Sequence, residues 1–262
     1  MKLIELSELE TWMIVYFAVI ALILGMVFGS FLNCAAWRIS RKKSFIKGRS
    51  ICPVCKHELS AKDLIPVVSY IVSKGKCRYC GTKISIRYPL TEVFFGVISV
   101  VMFLQDGLSV LFIRDFIFAC CLFCLSLVDL EIFEIPDGCL IISVLAWILS
   151  LPFLNVNLTY ILGHIAAGFG FGFGFLILSI VMDRILKKES LGGGDIKLFF
   201  VMGLYLGLIG GMFTVMLAAV VGLIFAKGKE KISFGPFISV ATWVVLMFGE
   251  PLVQWYLDAL LL

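Results

Sequence analysis

The chain has 262 residues, of which 61% are hydrophobic and 15% charged, with a formal net charge of +4 and a mean hydropathy of +1.07. Soluble domains carry about a quarter charged residues and under half apolar ones, so a cytosolic globular enzyme, a disordered chain and a secreted disulfide scaffold are excluded. The apolar residues fall in long, nearly charge-free runs separated by short polar breaks, which predicts an all-α polytopic membrane protein with one soluble insert.

Residues 1–12 are acidic on balance, with Lys2 against Glu5, Glu8 and Glu10. The run from Trp12 to about Trp37 is long enough to cross a bilayer as a helix. Its acidic leading flank and basic trailing flank are the reverse of a cleaved secretory signal. The positive-inside rule therefore predicts a retained span with its N-terminus outside. Between Arg38 and Arg87 stand 13 Lys and Arg against two acids, Glu58 and Asp63, so this stretch nets +11 and everything else −7. No nucleic-acid-binding motif accompanies the charge. The block reads as a cytoplasmic loop that sets topology and meets anionic lipid headgroups, with no nucleic-acid partner.

Further apolar runs fall near 90–105, 112–130, 138–154, 158–182, 197–210, 212–226 and 234–249. Leu198 to Ala226 is 29 residues without a charge, long for one span and short for two. A break at Gly210-Gly211 would put Lys227, Lys229 and Lys231 on the same side as Arg184, Lys187 and Lys188, so the charge bias predicts about eight transmembrane helices. Gly170 and Gly174 form a GxxxG, expected to let two helices approach closely. No internal repeat of the kind that marks transporter halves is present, and the sequence leaves oligomeric state open. Three regions follow: 1–37, a tail and first span; 38–90, the basic loop; and 91–262, the remaining membrane core.

Of nine cysteines, Cys34, Cys120, Cys121, Cys124 and Cys139 lie in or beside apolar runs, where a thiol behaves as a small hydrophobe. The other four form Cys52-Pro-Val-Cys55 and Cys77-Arg-Tyr-Cys80, 21 residues apart. Paired C-x2-C knuckles at such a separation point to tetrahedral Zn(2+) held by four thiolates, a closed structural site with no open position for water. A loop of this size has little core, so metal would supply much of its folding free energy. The reducing cytoplasm disfavours disulfides. His57, just beyond the first knuckle, is expected to be a surface residue.

Ionisable groups at membrane depth are functional candidates. Glu92 and Asp129 fall at predicted cytoplasmic helix ends, Asp137 opens the next span, and Arg114 and Asp115 are expected to pair near the outer face. Asp195 follows Gly192-Gly193-Gly194 and precedes Lys197 at a helix start, where glycine allows a sharp bend and close approach to a substrate. The predicted topology puts Asp129 and Asp195 on one side of the membrane. Two adjacent carboxylates share a proton, so one activates water while the other polarises a carbonyl. With two histidines in the chain, no Gly-x-Ser-x-Gly elbow and no His-Glu-x-x-His helix, serine hydrolase and zincin chemistry is disfavoured.

These residues resemble the type IV prepilin peptidases, bacterial membrane aspartic proteases of the GxGD class. The resemblance rests on Gly29-Ser-Phe-Leu-Asn33 with Arg38, both knuckles, Ile65-Pro-Val-Val-Ser-Tyr70 and Ile84-Ser-Ile-Arg-Tyr-Pro-Leu-Thr-Glu92. It continues through Asp129 with Ile135-Pro136-Asp137, Gly192-Gly-Gly-Asp195 with Lys197, and Phe234-Gly-Pro-Phe237. It implies that Asp129 and Asp195 cleave the short basic leader of prepilins or pseudopilins at the cytoplasmic face of the inner membrane, with Gly192, Gly194 and Lys197 in support. It also implies N-methylation of the new terminus with S-adenosylmethionine, for which no glycine-rich Rossmann fingerprint appears. Glu131, Glu134 and Asp137 are expected to attract the cationic leader. The competing readings are another GxGD protease that cuts within a membrane helix, and a non-enzymatic assembly factor or ion-coupled transporter.

Overall fold

The computed structural model describes residues 2–4, 10–44, 48–188, 190–226 and 232–261, with the backbone alone for 2–4 and 250–261. Glu5, Glu8 and the cluster of Lys227, Lys229 and Lys231 lie outside the described residues. In chain order the elements are β1 (Lys2–Ile4), α1 (Thr11–Ile39), a 3-10 turn (Ala61–Asp63), α2 (Val68–Val72), α3 (Arg87–Asp106), β2 (Leu108–Ser109), α4 (Val110–Ile132), α5 (Asp137–Ser150), a second 3-10 turn (Leu151–Phe153), α6 (Leu158–Leu186), α7 (Gly193–Ala226) and α8 (Gly235–Leu261). Five helices, α1, α3, α4, α6 and α7, are long and apolar enough to cross a bilayer, and α5 and the first part of α8 are shorter apolar helices. The protein is thus helical and polytopic, as its composition requires. Among the described residues the helices are accompanied by a two-stranded antiparallel pairing of β1 with β2, with Lys2 opposite Ser109, and by two isolated bridges, Ile51 with Glu58 and Lys76 with Lys83.

The number of spans turns on α7. A straight 34-residue helix would be about 51 Å long against a hydrocarbon layer of about 30 Å. The backbone breaks at Gly207, whose φ of 65° and ψ of −166° belong to a region open essentially to glycine alone. Two helices therefore run end to end, giving eight apolar helical segments among the described residues. The break falls at Gly207 rather than at the expected Gly210-Gly211, which stay helical, with Gly211 close against the ring of Phe171.

The described chain forms two compact units, 2–116 and 117–261, with the boundary inside α4. In the first, α1 packs along α3. Their core is Phe95, Met102 and Phe103, and the Asn33 amide, which donates to Gly29 O within α1, ties the helices by donating to Thr91 Oγ1 at 2.6 Å. Between the helices the two knuckles repeat one backbone pattern. Cys52 N–H donates to His57 O and Lys56 N–H to Cys52 O; Cys77 N–H donates to Thr82 O and Gly81 N–H to Cys77 O.

In the second unit, α7 packs against α5, α6 and α8. Phe118 of α4 stacks on Tyr205 of α7 at 3.8 Å, and the Tyr205 hydroxyl donates to Ser143 O of α5 at 2.8 Å. Gly170 and Gly174 do not make the close approach expected of them: a Cβ at either would meet nothing within 4 Å. The close crossing of α6 and α7 is made instead by Gly168 and Gly203, where a Cβ on Gly203 would lie 2.7 Å from Gly168 Cα. Residues two apart point to opposite helix faces, so the glycine pattern was right for packing and wrong by half a turn in register.

Candidate active site and metal centre

Asp129 lies in the last turn of α4 and is 5% exposed. The helix stops just beyond it, where Phe133 takes a left-handed φ of 57° while donating its N–H to Asp129 O. Oδ2 of Asp129 accepts the hydroxyl of Ser233 at 2.7 Å and the N–H of Gly235, the first residue of α8, at 3.0 Å. Asp195 sits in the first turn of α7, its N–H donated to Gly192 O, and its buried Oδ1 has no hydrogen-bond partner among the described residues.

One side chain joins the two places. Ile135, in the loop after α4, lies against Gly194, where an added Cβ would come 2.9 Å from Ile135 Cβ, and against Gly235, 3.3 Å from its Cδ1. The aspartates, 66 residues apart in sequence, are thereby brought to the two sides of Ile135, Asp195 beside Gly194 and the Asp129 carboxylate against Gly235. Gly192 leaves room beside Asp195, since a Cβ there would stand 3.2 Å from Oδ2.

Lys197 and Asp137 form an ion pair at 2.7 Å, both more than half exposed, which links the first turns of α7 and α5. Asp137 is therefore neutralised locally. Glu131 at the end of α4 and Glu134 in the loop that follows are both on the surface. From the ion pair an apolar groove of about 390 Å³ runs between α5 and α7, lined by Leu140, Ile141, Val144, Phe200 and Val201. Arg114 and Asp115 pair with each other at 2.6 Å, both buried. Sequence reasoning singled out the Phe234-Gly-Pro-Phe237 motif but missed what it touches. The available signal was a serine before a glycine-proline helix start, the composition of a helix N-terminus.

In the first unit the Sγ atoms of Cys52, Cys55, Cys77 and Cys80 all lie within 4.8 Å of one another, with Cys52 and Cys80 3.9 Å apart. Tetrahedral Zn(2+) with sulfur at about 2.3 Å needs edges of about 3.8 Å, so the donor set fits zinc. The hydroxyl of Thr82, with Sγ 3.3 Å away, and then its N–H bring the Cys80 thiol down to about 6, while the neighbouring Cys55 thiol stands up at about 11. His57 is exposed, and its ring packs on Tyr79 with centroids 3.6 Å apart. Asp63 holds the halves of the loop together. It accepts from the Ser60 hydroxyl and N–H and from Tyr79 OH, and pairs with Arg78 at 3.2 Å. These contacts, the Ser60 hydroxyl foremost, hold its carboxyl below the usual range.

Glu92 on α3 is 7% exposed, and no cation pairs with it among the described residues. Its Oε2 accepts the N–H of Val67 at 2.8 Å. Val67 is a β-branched residue at φ 60°, ψ −49°, the centre of a tight three-residue turn closed by Val68 N–H to Pro66 O. Such backbone persists only where its surroundings fix it.

The second unit is thus a helical membrane bundle that brings two aspartates to neighbouring helix ends, and the first a helix pair carrying a four-cysteine loop. The sequence model for the Bacterial Peptidase A24 N-terminal domain matches residues 23–105, and that for the Type IV leader peptidase family matches residues 116–227. A prepilin leader peptidase/N-methyltransferase of Bacillus subtilis is 31% identical, covering 91% of this chain and 97% of the relative. One of Neisseria gonorrhoeae is 30% identical (91% and 94%), and one of Aeromonas salmonicida 29% (99% of each). The chain belongs to the type IV leader peptidase family. No solved structure matches it.

Proposed function

We propose that this protein removes the short basic leader from prepilins or pseudopilins with Asp129 and Asp195, and then N-methylates the new terminus. Support comes from the family membership and from one observation above the rest: Ile135 touches both Gly194, next to Asp195, and Gly235, which meets the Asp129 carboxylate, so two acidic side chains from distant parts of the sequence lie at neighbouring helix ends. In the reaction one carboxylate takes a proton from water as the water oxygen bonds the scissile carbonyl carbon, and the other gives its proton to the carbonyl oxygen. On collapse the C–N bond breaks, the departing amine takes up the proton drawn from water, and a hydroxyl of the tetrahedral intermediate returns its proton to the second carboxylate as the carbonyl re-forms. Gly192 keeps the approach to Asp195 open, Gly194 lets Ile135 pack against the turn, and Lys197 orders α5 beside it through Asp137.

The positive loop and the acidic first flank favour an external N-terminus, with the thiolate loop and both aspartates at the cytoplasmic side of the inner membrane. There Glu131 and Glu134 would face the cationic leader. Zn(2+) held by Cys52, Cys55, Cys77 and Cys80 would be structural and would keep the loop folded. S-adenosylmethionine supplies an electrophilic methyl group when bound. The uncompensated Glu92 carboxylate suits its positive charge and that of the substrate ammonium. The peptidase chemistry lies within 91–262.

The test is Asp129→Asn and Asp195→Asn, each in full-length protein in membranes with a co-expressed prepilin. Both are expected to abolish leader removal at unchanged membrane abundance. Continued processing by either variant would overturn the assignment.

A further inference from the structure

We propose that the start of α8 is part of the catalytic apparatus: Ser233 and Gly235 are positioning residues that make Asp129 the water-activating member of the pair and leave the shared proton on Asp195. This rests on the proposed aspartate pair and assigns what that pairing leaves open, namely which carboxyl does what.

The two donors converge on a single oxygen. Asp129 Oδ2 receives Ser233 Oγ–H at 2.7 Å and Gly235 N–H at 3.0 Å. An oxygen that accepts from two donors has both lone pairs engaged and is not the one carrying a proton. Fixing Oδ2 from one side also fixes the plane of the carboxylate, so Oδ1 is presented in one direction. Asp195 differs on the same count, because its buried Oδ1 meets no donor among the described residues. A buried oxygen without donors is suited to the neutral carboxyl, which keeps its proton until a carbonyl oxygen arrives to accept it.

The Gly235 N–H is one of the unpaired amides at a helix N-terminus, where the partial positive charge of the helix favours a carboxylate. That approach needs glycine. A Cβ on residue 235 would lie 2.6 Å from Asp129 Oδ2 and 3.3 Å from its Cγ, inside van der Waals contact. The turn bearing both donors is itself held against the helix of the other aspartate. The Phe234 ring packs near Phe199 of α7, with centroids 6.5 Å apart, and near Phe237, while Ser239 Oγ–H caps Gly235 O at 2.8 Å. Each part of the Phe234-Gly-Pro-Phe237 motif thereby has a use. Its rings anchor the turn, its glycine admits the carboxylate, and its proline starts the helix behind the amide.

The experiment uses the full-length protein in nanodiscs with a synthetic prepilin peptide, measuring kcat and KM separately. Ser233→Ala is expected to lower kcat about tenfold at unchanged KM, the effect of losing one hydrogen bond to a charged group. Ser233→Thr, which keeps the hydroxyl, is expected to restore most of it. Gly235→Ala is expected to lower kcat a hundredfold or more while the protein still binds the peptide, since the methyl group displaces the carboxylate without touching the groove. Wild-type kcat in Ser233→Ala, a loss confined to KM, or no recovery with threonine would overturn the proposal. Asp129→Asn run alongside separates the two claims. If it is inactive while Ser233→Ala is normal, the α8 assignment alone fails; if it is active, the aspartate pair fails with it.

Discussion

Replacing Gly207 by alanine tests the break in α7 against the alternative that the charge pattern indicates. At φ 65° and ψ −166° an L-residue costs of order 1–3 kcal/mol. The added Cβ would also press on the His164 ring, 3.3 Å from Nε2. A loss of about 2–3 kcal/mol in a unit of this size lowers the midpoint of thermal unfolding by roughly 5–10 °C. Gly210→Ala is the matched control. That residue is helical, so the gain in helix propensity, about 1 kcal/mol, offsets the tight 3.1 Å approach to Leu206 Cβ and leaves the midpoint nearly unchanged. The assay is thermal unfolding in detergent, followed by intrinsic fluorescence, with leader removal measured in parallel because Asp195 rides on the first half of α7. A large drop for Gly210→Ala with none for Gly207→Ala would place the break at Gly210-Gly211 and refute the kink at Gly207.

Cys52→Ser is expected to release about one equivalent of zinc per chain by elemental analysis and to expose the 38–90 loop to protease, because three thiolates no longer close the shell. Full metal retention would count against four-thiolate coordination. Glu92→Gln is expected to leave leader removal intact while mass spectrometry of the mature pilin finds an unmethylated N-terminus; a normally methylated product would remove Glu92 from the transfer. Asp63 contributes stability above the ordinary carboxylate range that is lost as pH falls through its depressed value. Protease resistance of the loop in Asp63→Asn should therefore trail the parent at pH 7 and converge with it in strong acid. A gap that persists in acid would show that the charge is irrelevant.

Much of the architecture could be read from charge-free runs, because bilayer thickness dictates span length and lysine and arginine mark the breaks. The thiolate cluster was legible for the same kind of reason: a C-x2-C knuckle brings its two sulfurs together locally, and only one long-range closure had to be guessed. Asp129 and Asp195 stood out as acids where acids are costly. What stayed hidden depended on register and on distant partners. Gly168, not Gly170 or Gly174, meets α7, since the face a glycine presents depends on which neighbour it has. Gly207 rather than Gly210 breaks α7, because several glycines in one run are equivalent until packing separates them. Ser233 carried no signal as a partner of Asp129, since a hydrogen bond across 104 residues leaves no local pattern. The Val67 turn was equally invisible, as valine is the residue least expected at positive φ.

Ile135 leaves a quieter mark on the molecule. Its aliphatic bulk rests on a bare glycine at each side, 194 and 235, so the width between the two strands of backbone is set by one branched hydrocarbon. The residue acts as a spacer gauge: trimming it would let the walls sag inward, and enlarging either glycine would jam them apart. A side chain at 194 would therefore call for a smaller one at 135, whereas no change at 135 could release 235, which the Asp129 carboxylate also holds bare.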